Sequence, residues 1–133
     1  VNAAPDRAGI VTIAVASLFA FAIGVAAGFI TTFTHRGLPP GGLVAGLVVV
    51  VALVAGFRLV FASRVIGGAA ALGAVAATAL LTLPGAGGIA FVVEDPLGYV
   101  WAFGPAVLSV IVLAWPARSA RQEASPSRSR MEA

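Results

Sequence analysis

An all-α fold, a polytopic transmembrane four-helix bundle with both termini on the cytoplasmic side, is what three features of this sequence predict. First, 60% of the 133 residues are hydrophobic and 10% are charged, with a mean hydropathy of +1.06. A soluble domain of this size needs far more polar surface to cover its core. Second, the apolar residues fall in four uncharged runs, 8–35, 37–57, 65–93 and 96–117. Each can cross ~30 Å of hydrocarbon as a helix rising about 1.5 Å per residue. Third, the arginines cluster at alternate ends of these runs, which sets a direction.

Helix 1 is expected over 10–33. The apolar stretch from Ile10 to Phe33 is longer than the usual 7–15 residue core of a signal peptide, so it reads as a retained helix. Along it Ala16, Ala20, Gly24, Gly28 and Thr32 recur every four residues. The Gly24–Gly28 pair is a GxxxG, a spacing that lets a second helix approach closely. The approaching helix can belong to this chain or to a partner.

Helix 2 is expected over 41–61, entered through the turn "THRGLPP" at 34–40 and opened by Gly42 and Gly46. Its Val-rich run would suggest a strand in water. In lipid an isolated segment must satisfy its own backbone hydrogen bonds, so it becomes helix. Helix 3, over 65–83, carries a small-residue ridge at Ala69, Gly73 and Ala77, and its lack of bulk suits the bundle centre. Helix 4, over 97–115, contains Pro105, which lacks an N–H, should kink the helix and should free the Trp101 carbonyl. Tyr99 and Trp101 are placed at the outer interface and Trp115 at the inner one. The hydroxyls of Ser17, Thr31, Thr78 and Ser109 are expected to bond back to the preceding turn.

The direction follows from Arg7 before helix 1, Arg58 and Arg64 around the second turn, and Arg118, Arg121, Arg128 and Arg130 after helix 4. With four spans these share one side and Arg36 lies on the other, so the positive-inside rule puts both termini in the cytoplasm. The chain then divides into a cytoplasmic N-terminus (1–9), a four-helix domain (10–117) and a polar, Ser- and Arg-rich tail (118–133) expected to be disordered. Arg58 and Arg64 should snorkel to the cytoplasmic face, where headgroups are within reach.

One short stretch stands out. Glu94 and Asp95 are the only acidic residues between Asp6 and Glu123. Inside a span they would cost several kcal/mol, but a helix starting just after them makes Asp95 an N-cap and Pro96 its first residue. A boundary marker is the first reading. The second joins Glu94 and Asp95 to His35 and Arg36 of the other outward loop, as a site for a cation, a partner or a proton. His35 reads first as a solvated loop residue.

Composition narrows the function classes. The chain has no cysteine, which removes disulfides, thiolate metal sites and cysteine nucleophiles. One His and two adjacent carboxylates do not have metal-ligand spacing, and no cofactor or metal is expected. The sequence pI of about 11.2 comes from arginines at segment ends and in the tail, so nucleic-acid binding is not implied. No nucleophile–base pair or phosphate loop points to an enzyme. Small multidrug-resistance exporters are similar in size, but they depend on a membrane-embedded glutamate, and these spans carry none. A small transporter or channel with an outward acidic lip at Glu94 and Asp95 stays as the alternative to the leading class, a non-catalytic accessory or scaffold protein of the plasma membrane. Its partners would be the bilayer and a second copy or another membrane protein.

The motifs "GLPPGG" at 37–42, "GFR" at 56–58 and "EDPLGYVWAFGP" at 94–105 resemble an uncharacterised family of small actinobacterial four-helix integral membrane proteins. That resemblance covers roughly residues 10–115. It implies the four-helix fold and carries no assigned activity or catalytic residue.

Overall fold

The computed structural model describes residues 6–83 and 95–116. They form four helices: α1 (Arg7–Thr34), α2 (Gly41–Val60), α3 (Arg64–Thr82) and α4 (Pro96–Ala114). All four are long and apolar enough to cross a membrane, and among the described residues there is no strand. Each helix lies within three residues of its expected span. The tail at 117–133 and the connection at 84–94, with Glu94, lie outside the described residues.

Local chemistry sets the helix ends. α1 starts three residues before the expected Ile10 because Asp6 caps it, its carboxylate accepting the Gly9 N–H at 2.8 Å. Ser63 and Asp95 cap α3 and α4 in the same way, accepting from Ile66 and Gly98. α2 has no side-chain cap and follows a cis Pro39–Pro40 bond. The α2–α3 turn is short, and Ala62 takes a left-handed conformation in it (φ 47°).

α3 is the hub. It packs against each of the other three helices, and nine of its nineteen residues are buried, against four of nineteen in α4. Its partnership with α1 is the most intimate. A Cβ on Gly24 would collide with the Ala70 carbonyl, and one on Gly28 would lie 2.7 Å from the Ala74 carbonyl. In return, a Cβ on Gly73 would collide with the Phe21 carbonyl. Rising numbers on α1 meet rising numbers on α3, so the two helices run parallel, backbone against backbone. The small-residue stripe of α1 is spent on α3 within the chain. Such contacts gain dispersion energy without needing water to be expelled, which is what holds helices together in lipid.

The remaining core is plain apolar packing. Val50 and Val54 of α2 meet Ala71 and Ala74 of α3, backed by Val112 and Leu113 of α4. At one end Ala20, Ile66 and Ala70 pack with Phe57; at the other Leu43 packs with Trp101. Large side chains such as Leu18, Leu72 and Phe103 point outward and are exposed, as expected of a lipid-facing surface.

The register leaves α1 overhanging. Its first buried residue is Ala20, which packs beside Ile66, whereas α3 begins at Arg64. Roughly ten residues of α1 therefore extend past the start of α3, about 15 Å of helix.

Candidate functional site

The Arg36–Asp95 end of the bundle gathers most of the candidate polar groups. α1 ends at Thr34 with His35 as its C-cap, and α2 begins so close that a Cβ on Gly42 would sit 2.7 Å from the Thr34 carbonyl. α4 starts alongside. Asp95 divides its carboxylate: Oδ1 accepts the Gly98 N–H at 2.7 Å, and Oδ2 accepts from the Arg36 guanidinium at 2.8 Å. The cap and the cross-loop pairing thus coexist in one side chain. The Gly98 N–H first, and Arg36 second, hold the Asp95 carboxyl below the usual carboxylate range. Both partners remain 38% exposed, so the pair is a surface contact open to screening by salt.

His35 departs from the expectation of a solvated loop residue. It is 1% exposed and stacks on Trp101, with ring centroids 5.2 Å apart and planes 8° from parallel. Its Nδ1 contacts the Thr32 carbonyl. A carbonyl only accepts, so Nδ1 carries the proton and the neutral ring has its lone pair on Nε2. Nε2 is buried and has no hydrogen-bond partner. The reason for the difference is geometric: helix α1 continues to Thr34 and turns back immediately into α2, which folds its capping residue under the start of α4.

Trp101 also departs from expectation. It is fully buried, whereas Tyr99 and Trp115, the other two residues expected at the interfaces, are 55% and 60% exposed. Its Nε1–H donates to Thr32 Oγ1 at 3.1 Å, and that hydroxyl donates to the Gly28 carbonyl at 2.7 Å. Gly46 makes room for the ring: a Cβ there would lie 2.8 Å from it. The signal for this burial was present in the sequence. Gly98, Trp101, Pro105 and Ser109 fall on one face of α4, and that face is the buried one. Reading Trp101 by its depth along the helix, rather than by its face, misplaces it.

Arg58 lies at the opposite end of the bundle. Its guanidinium donates to the carbonyls of Val112 and Trp115, groups at the C-terminus of α4 that lack an intrahelical partner. A cation is favourable at that end of a helix dipole. Arg64 is exposed at the start of α3.

The hydroxyls divide. Thr31 donates to the Ala27 carbonyl at 2.6 Å and Thr78 to the Ala74 carbonyl at 3.0 Å. Ser17 and Ser109 do not bond back, and their buried oxygens have no partner. Pro105 is fully buried within an α4 that continues from Pro96 to Ala114. Among the described residues no group of acidic or His side chains could hold a metal ion.

No protein-family model matches the chain, and neither a curated protein nor a solved structure is similar to it.

Proposed function

We propose that this chain is a non-catalytic, multi-pass protein of the plasma membrane that acts as an accessory or scaffold subunit through helix packing with a second copy or another membrane protein. The observation that carries this reading is how the interior is used. Val50, Val54, Ala71 and Ala74 form a buried apolar centre, α1 and α3 close on each other through glycines, and Thr31, Thr32 and Thr78 turn their hydroxyls to their own helices. That is a packed body rather than a lined path. The arginine asymmetry supports cytoplasmic termini, and the quoted motifs support kinship with the actinobacterial family.

A second reading, a small transporter or channel, is favoured by one observation: the charged lip of Arg36 and Asp95 lies over a buried His35. Native mass spectrometry of the full chain from mild detergent, paired with ion-flux assays in liposomes, separates the two. A homo-oligomer or a stoichiometric companion, without flux, is the expected result. A species that conducts ions would replace the scaffold with the transporter, and a lone, inert monomer would overturn the accessory role.

A further inference from the structure

We propose that the pocket formed by Thr32, His35 and Trp101 is a proton-binding site, and that protonation of His35 Nε2 releases the imidazole from Trp101 and loosens the join between α1 and α4. The neutral ring fits its surroundings. Its Nδ1–H is used by the Thr32 carbonyl, its face lies on the indole, and the buried Nε2 lone pair is merely idle. A proton taken from solvent onto that lone pair reverses the fit. The idle acceptor becomes a charged N–H donor with nothing to receive it, and an unsatisfied buried donor is costlier than an unused acceptor.

The neighbours do not supply that acceptor. On α4, Asp95 exerts a favourable field on His35, but both its oxygens are already engaged by Gly98 and Arg36. On the α1 side Arg36 is a like charge on the adjoining residue. The ionisable side chains of α2 and α3 are Arg58 and Arg64, both at the opposite end of the bundle, and Tyr99, a turn into α4, is exposed. The indole face attracts a cation, yet it cannot accept the Nε2–H, which points outward in the plane of the imidazole. Water can. Reaching it requires the ring to leave the stack, which also exposes Trp101.

His35 is the only histidine and Trp101 one of only two tryptophans, so both can be followed without ambiguity. The full chain carrying Trp115→Phe, in lipid nanodiscs, should show a reversible red shift and loss of tryptophan emission as the solution is acidified. Adding His35→Gln should make the emission independent of pH. A response that survives His35→Gln belongs to another group, such as Glu94, and overturns the proposal. Should His35→Gln fail to fold, histidine-selective labelling of the unaltered chain decides by NMR. A ring that titrates in step with the emission change supports the site; a ring that never titrates, or titrates with unchanged emission, overturns it.

Discussion

Asp95 splits its carboxylate between a helix end and a neighbouring loop, and that division ranks its variants. Asp95→Asn keeps an oxygen for the Gly98 N–H and loses the charge toward Arg36, whereas Asp95→Ala loses both. Asn caps about as well as Asp, and an exposed ion pair contributes little, so thermal unfolding should show Asn mild and Ala clearly worse. The acid dependence has a definite sign. The folded carboxyl is depressed below its unfolded value, so its stabilisation is complete above the unfolded pKa of about 3.9 and is lost as pH falls through the folded one. Asp95→Asn should remove that acid-sensitive component, checked by unfolding below pH ~4. Ala62 offers an independent test. A non-glycine residue in the left-handed region costs roughly 1–2 kcal/mol, so Ala62→Gly should stabilise, by less than that because glycine also gains freedom when unfolded.

At the level of the helices, the α1–α3 contact is the most demanding feature. Because a single added Cβ on Gly24 or Gly28 already meets the carbonyls of Ala70 or Ala74, Leu at both positions forces the helices apart. The expected loss exceeds the ~1–3 kcal/mol typical of overpacking, while Ala22→Leu, on the exposed side of α1, should leave unfolding in detergent unchanged. The helices themselves were legible because lipid leaves an isolated apolar run no alternative to helix, and Asp95–Pro96 marked the start of α4 by known cap chemistry. Faces were harder to read. With Gly and Ala on every side of α1 and α3, spacing allowed the Gly24–Gly28 stripe to meet this chain or a partner. The burial of His35 depends on three separated segments meeting at one end of the bundle, and no local pattern in "THRGLPP" encodes that meeting. Arg58 reaching the carbonyls of α4 was hidden for the same reason.

Across the whole molecule the charges are polarised along the bundle axis. Arg7, Arg58 and Arg64 belong to the end where α1 and α3 begin, and Arg36 to the other, where Asp95 meets it. The positive-inside rule counts basic residues near the spans and gives acidic ones little weight, so the pairing of Arg36 with Asp95 does not cancel its vote. Three against one already favours the Arg58–Arg64 end as cytoplasmic, and in the sequence Arg118, Arg121, Arg128 and Arg130 follow α4. The overhang of α1 belongs to that end as well. At 28 residues it measures about 42 Å against ~30 Å of hydrocarbon, so its first turns must tilt within the bilayer or rise through the headgroups, with Arg7 reaching the interface. Reporter fusions test the orientation directly: those after Arg64 and Arg118 should read cytoplasmic, and those at Arg36 and Gly87 external. A cytoplasmic reading at Arg36 inverts the whole bundle and puts His35 and its neighbours on the inside. A cytoplasmic reading at Gly87 alone would mean that α3 or α4 does not cross, despite its length and hydropathy.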